Sequence, residues 1–124
     1  MQEHHDDSDL LVILRHAPHG SSWLREGLDA ALVAAAFGRR VSLLFMGEGV
    51  TALLPGQQVG PLGQKGTAAT LEMLEMYDIE TLLVEEQGLS CLGFSSDELM
   101  LEVECLSPSA LARVLSGHRL VLTF

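Results

Sequence analysis

The sequence predicts an α/β domain, a three-layer α/β/α sandwich around a mainly parallel, five-stranded sheet. Three observations lead there. Short runs of branched aliphatic residues recur along the chain, with Leu10 to Leu14 the first of them. Such runs are continuously apolar, as strands buried on both faces are. They are separated by stretches of helical periodicity, and an alternating order of strand and helix implies parallel strands joined by crossovers.

Residues 1–9 are polar and charged without periodicity, which predicts a disordered amino-terminal tail and leaves 10–124 as a single domain. A chain of 124 residues is long enough to bury a core without disulfide or metal staples. Hydrophobic residues make up 48% of it, yet only six are aromatic, so that core should be aliphatic. The mean hydropathy of +0.28 also suggests apolar surface reserved for a partner. His4, His5, Asp6 and Asp7 are metal-capable, but adjacent ligands on a tail do not converge on one ion, and no metal is expected there.

The turn after the first strand, residues 17–29, is the stretch around which the chain is organised. It lies where open α/β sheets place their sites, at a strand's carboxyl end and a helix's amino end. Pro18 and Gly20 punctuate it, Ser21 or Ser22 can cap the next helix, and Glu26 suits the positive end of the helix dipole. That helix is predicted to run to about Phe37, with Leu24, Leu28, Ala31, Leu32 and Ala35 at helical spacing and Gly38 beyond its end. Residues 41–46 form the second strand, followed by a turn at 47–49 and a short helical piece ending near Pro55 and Gly56. The glycine-rich stretch 56–66 reads as an exposed loop.

Residues 67–77 are predicted helical, with Ala68, Leu71, Leu74 and Tyr77 on one face and Met73 and Met76 as packing filler beside it. Residues 81–84 are the third strand, 85–88 a solvated loop start, 89–98 irregular, and 99–105 a strand with one less buried face. Ser107 as N-cap with Pro108 at the first helical position opens a last helix, terminated by Gly117, and 118–124 closes with a strand.

Net charge and motifs exclude several functions. A formal charge of −10 argues against direct binding to a phosphate backbone. No apolar run reaches the roughly 20 residues that span a bilayer, and the acidic start is unlike a signal peptide, so a cytoplasmic protein with reduced thiols at Cys91 and Cys105 is expected. Gly47-Glu48-Gly49 lacks the third glycine of a dinucleotide fingerprint, and Gly63 to Thr67 lacks the order of a phosphate loop, so no cofactor is expected. His16 and His19 could act as bases or, with the amides of the turn, hold an anion, but spacing supplies no nucleophile for either. Cys91, placed in a loop, is a weak catalytic candidate, because Glu85 and Glu86 nearby would disfavour a thiolate. Glu85 and Glu86 themselves point in opposite directions on an extended segment and do not make a carboxylate pair.

Four blocks carry a resemblance: Ala17-Pro18-His19-Gly20, Arg25-Glu26-Gly27-Leu28-Asp29-Ala30, Leu53-Leu54-Pro55-Gly56-Gln57 and Tyr77-Asp78-Ile79-Glu80. In this order they resemble the TusC/DsrF branch of the DsrE/DsrF sulfur-relay proteins. The resemblance implies a compact α/β subunit that assembles with TusD/DsrE-like and TusB/DsrH-like subunits into a hexamer of paired trimers. It implies a relay of persulfide sulfur between cysteines towards 2-thiolation of the tRNA wobble uridine, or in sulfur oxidisers towards dissimilatory sulfur metabolism. The relay's essential cysteine belongs to the TusD/DsrE-like subunit, just after a central strand, where this chain has Val84-Glu85-Glu86-Gln87.

The expected role is therefore a non-catalytic structural subunit without cofactor or metal. Pro18, His19, Gly20, Arg25, Glu26, Gly27, Asp29, Pro55, Gly56, Tyr77 and Asp78 are its motif and interface candidates. Two alternatives stay open: a sulfurtransferase that carries persulfide on Cys91, and an anion-binding module built on the turn from His19 to Ser22.

Overall fold

The first strand, β1 (Leu10–Leu14), lies near the middle of the sheet, its five residues buried in an unbroken row. The computed structural model of the protein describes residues 9–19, 21–54 and 68–124. From β1 the chain passes through α1 (Trp23–Ala36) to β2 (Val41–Phe45), then through a 3-10 helix (Gly47–Leu53) and α2 (Ala68–Glu72) to a second 3-10 turn (Leu74–Tyr77). β3 (Thr81–Glu85), α3 (Glu86–Leu92), β4 (Glu104–Leu106), α4 (Pro108–Gly117) and β5 (Leu120–Thr123) follow. Gly20, Pro55, Gly56, the stretch 56–66 and the metal-capable tail residues lie outside the described residues.

The five strands run in the order β4-β3-β2-β1-β5, and every pairing is parallel. This order dictates where the helices go. Steps from β1 to β4 all move the same way across the sheet, so right-handed crossovers put their connections on one face. The return from β4 to β5 runs the other way, which places α4 on the opposite face.

The two apolar clusters follow that division. Leu10, Val12, Leu14, Val41, Leu43 and Phe45 meet α1 through Leu24, Leu28 and Ala31, and the other connections through Val50, Leu53, Leu71, Leu74 and Leu89. Leu11, Ile13, Leu44, Leu83 and Leu106 meet α4 through Val114, with Ala110 and Leu111 beside it. The sandwich thus has three layers, one of them thin. Parity along each strand decides which side chain serves which face.

Several boundaries differ from the sequence expectation. Asp9, expected in the tail, is held to the sheet: its N–H donates to Arg40 O at 2.8 Å and its carboxylate accepts the Arg40 N–H at 3.1 Å. Ser22 occupies the N-cap of α1, but its hydroxyl donates to the Glu26 carboxylate rather than capping a backbone amide. The predicted helix over 67–77 divides into α2 and a 3-10 turn, ended by Asp78 in the left-handed conformation at φ 62°. Its apolar stripe is shorter than expected, with Leu71 and Leu74 buried and Tyr77 at the surface. Met76 is 80% exposed and Met73 40%, so neither is the packing filler expected of them.

Residues 85–98 depart furthest. Glu85 ends β3, Glu86 opens α3, and Gly93 at φ 78° closes it. Seven residues are too few to show a helical period, and only Leu89 among their apolar side chains reaches the core. A 3-10 turn (Ser96–Glu98) follows, closed by a capping box between Ser95 and Glu98. The Ser95 hydroxyl also donates to Asp97 at 2.6 Å and holds that carboxyl below its usual range. Of the strand expected over 99–105 only Glu104 and Cys105 pair, in a strand that runs on to Leu106. Leu99, Met100, Leu101 and Val103 pack against the core as coil, with Met100 N–H donating to Leu53 O at 2.8 Å.

The last unit matches the expectation. Ser107 Oγ accepts the Ala110 N–H at 3.3 Å with Pro108 in the first turn. His118, buried where the helix ends, donates from Nδ1 to Val114 O at 2.9 Å.

Candidate functional site

The carboxyl ends of the strands share one rim of the sheet, and their loops are tied to each other there. Met46 N–H donates to Leu14 O at 3.0 Å, joining the ends of β2 and β1. Arg15 N–H donates to Phe124 O at 2.8 Å, joining β1 to β5. Gly47 N–H donates to Glu85 Oε1 at 3.1 Å, joining the β2 loop to the end of β3. Gly88 makes that third tie possible, because a Cβ there would lie 3.0 Å from Glu85 Oε1 and 3.2 Å from Gly47 N.

Glu85 is thus a bridging carboxylate, occupied by a backbone amide at the point where β3 gives way to α3. No sequence signal marks it, since its partner lies 38 residues away. Cys91 sits on α3 rather than in a loop, and Cys105 on β4; both are free thiols with exposed residues. The rim therefore presents an acid where the resemblance places a thiol in the partner subunit.

His16 and His19 are separated by their surroundings. His19 is exposed, whereas the His16 ring stacks on Trp23 with centroids 5.6 Å apart and planes inclined by 23°. His16 Nδ1 is buried without a hydrogen-bond partner among the described residues. Trp23, the first residue of α1, fixes the turn against the helix it launches. Spacing alone could not reveal this contact across seven positions of a loop.

The motif residues scatter by role. Pro18 is partly buried, while Arg25, Glu26 and Asp29 are exposed on α1. Asp78 terminates a turn, Tyr77 is at the surface beside it, and Gly27 faces inward against β1 and the carboxyl terminus. A Cβ on Gly27 would meet Phe124 Cγ at 3.0 Å and Leu14 Cδ2 closer still. Both are side-chain atoms able to give way, and alanine adds about 1 kcal/mol of helix propensity against an overpacking cost of about 1–3 kcal/mol. Gly27→Ala should therefore lose about 1 kcal/mol net, read as a melting temperature a few degrees lower.

Comparisons with known proteins agree with this architecture. The DsrE/DsrF-like family model matches residues 8–124. The chain is 38% identical over 117 residues to the Protein TusC homolog of Vibrio vulnificus (strain CMCP6), covering 94% of this chain and 99% of that protein. It is 34% identical, over the same shares, to the Protein TusC homolog of Vibrio parahaemolyticus serotype O3:K6. Among solved structures, the YchN protein from E. coli superposes with a TM-score of 0.81 at 25% identity, over 94% of this chain and 99% of that one. A conserved protein of unknown function from Bacteroides thetaiotaomicron shares the fold at a TM-score of 0.62 and 14% identity, over 94% and 95% of the two chains. With its all-parallel sheet, its tied rim and a match spanning nearly its whole length, the chain belongs to the DsrE/DsrF-like family.

Proposed function

We propose that this chain is a non-catalytic subunit of a sulfur-relay complex, shaping the assembly while the essential cysteine resides on a partner. The observation that carries this reading is the end of β3, where Glu85 is engaged with the Gly47 amide and no cysteine is present. A carboxylate cannot accept persulfide sulfur, so in this reading the sulfur is held on the cysteine of another subunit. TusD/DsrE-like and TusB/DsrH-like subunits in a hexamer of paired trimers are the partners. Thiolation of the tRNA wobble uridine in the cytoplasm is the destination we favour, on the resemblance of the four sequence blocks to the TusC/DsrF branch, to which the names of the TusC homologs add support for the branch alone. The dissimilatory relay is the other destination of the same chemistry. Among the described residues no helix is long and apolar enough to cross a membrane.

The test is co-expression with candidate TusD-like and TusB-like partners, followed by size-exclusion chromatography and persulfide trapping. This chain should co-elute with both partners. After incubation with a sulfur donor, mass spectrometry should find the persulfide on the partner's cysteine and none on Cys91. Labelling of Cys91, which is exposed on α3, would overturn the non-catalytic reading in favour of a persulfide-carrying sulfurtransferase.

A further inference from the structure

The strand order β4-β3-β2-β1-β5 reverses between β1 and β5. In open parallel sheets ligands bind at such a boundary, in the crevice outside the carboxyl ends of the strands. Here α1 covers one face of the sheet and α4 the other, so the crevice opens between the ends of β1 and β5. Gly27 of α1 lies against Leu14 of β1 and against Phe124, which follows β5. Trp23 is one helical turn before Gly27, which brings it to the mouth of this crevice.

An aromatic stack with basic side chains beside it stands at that mouth. The His16 ring lies 5.6 Å from that of Trp23, yet Trp23 remains 49% exposed. Nδ1 of His16 has no hydrogen-bond partner among the described residues, so the ring is not placed there to satisfy the backbone of the loop. It backs the indole instead. Arg15 and His19, both exposed, bracket the stack along the chain. Glu26, the acid in the first turn of α1, is engaged by the Ser22 hydroxyl.

We propose that this crevice binds a mononucleotide, its base stacked on Trp23 and its phosphate held by Arg15 and His19. An exposed indole offers a flat π-face, and every nucleobase has one to set against it. Arg15 and His19 supply N–H donors for the phosphate oxygens, which are acceptors alone. The charge of the chain sets the size of the ligand. At −10 the protein repels a polyanion, whereas a mononucleotide brings about two negative charges to a locally basic spot. The site uses neither Glu85 nor Cys91, so it is independent of the reading of this chain as a relay subunit.

Trp23 is the one tryptophan of the sequence, so intrinsic fluorescence excited at the red edge of indole absorption reports this site alone. Titration of the full chain with adenosine monophosphate should quench it saturably, with a Kd of about 1 mM or below. Adenosine keeps the ring and lacks the charge, and it should bind about tenfold more weakly. Inorganic phosphate alone should leave the fluorescence unchanged. Arg15→Gln and His19→Gln should each weaken the monophosphate about fivefold and leave adenosine as it was. Both positions are exposed, so circular dichroism should show unchanged melting for these variants. The proposal is overturned by an absence of saturable quenching up to about 10 mM, by adenosine binding as tightly as the monophosphate, or by variants that bind the monophosphate unchanged. A short oligoadenylate that binds more than about tenfold tighter than the monophosphate also overturns it, and assigns the crevice to single-stranded RNA.

Discussion

Gly49→Ala is expected to cost more than about 3 kcal/mol and to leave the protein largely unfolded at physiological temperature. Gly49 is buried in the 3-10 helix after β2, pressed against the end of β1. A Cβ there would lie 2.7 Å from Leu14 C and 3.2 Å from Arg15 N, with Leu14 O nearer than either. Those are backbone atoms, and they cannot retreat: Leu14 O accepts the Met46 N–H at 3.0 Å, and Arg15 N–H is bonded to Phe124 O at 2.8 Å. Relief of the clash must break the rim that links β1, β2 and β5. Gly47→Ala is the control, for its φ of 52° is unfavourable to a side chain but the space around it is open. It should lose only about 1–2 kcal/mol. Urea unfolding of the two variants separates steric from conformational cost, and a Gly49→Ala loss below about 1 kcal/mol would show that the 3-10 segment moves freely away from β1.

Phe45→Ala carries the second largest expected effect, about 3–5 kcal/mol. Phe45 is fully buried at the end of β2, opposite Leu14 of β1 and Val84 of β3, and it is the largest fully buried side chain among the described residues. The void would open in the larger of the two apolar clusters, among Leu, Val and Ala side chains with Phe124 at its margin. Phe45→Leu keeps most of the volume and should lose less than about 2 kcal/mol. The consequence reaches the site, because Met46 and Gly47 follow directly and the Gly47 amide holds Glu85. Amide hydrogen exchange at Gly47 should accelerate in Phe45→Ala beyond what the global loss accounts for. Equal acceleration at Gly47 and throughout β2 would show that the rim has no local dependence on this ring.

The elements with a strong local signal stand where periodicity and capping put them. Leu10 to Leu14, Val41 to Phe45, α1 and α4 each combine a continuous or helical apolar pattern with a terminator, such as Gly38 at φ 89° or the Ser107-Pro108 start. The four motif blocks likewise point to the family from residues alone, and Gly27 and Asp78 in them answer to local constraints, a close approach and a left-handed turn. Where the pattern is short, tertiary context prevails. α3 is a seven-residue helix held by its position after β3, and residues 99–103 pack as coil although they alternate like a strand, because pairing with β3 begins only at Glu104.

Composition and pattern thus reached a mainly parallel α/β class and the elements with long periods, and the resemblance of the four blocks reached the family and the absence of cysteine after β3. These are properties of residue type and near-neighbour spacing, which a linear chain carries in full. The strand order, the Glu85 to Gly47 tie and the His16 to Trp23 stack came from folding. Each joins segments whose separation along the chain encodes nothing about their distance in space, and only the handed crossover of β4 to β5 brings the last strand beside the first.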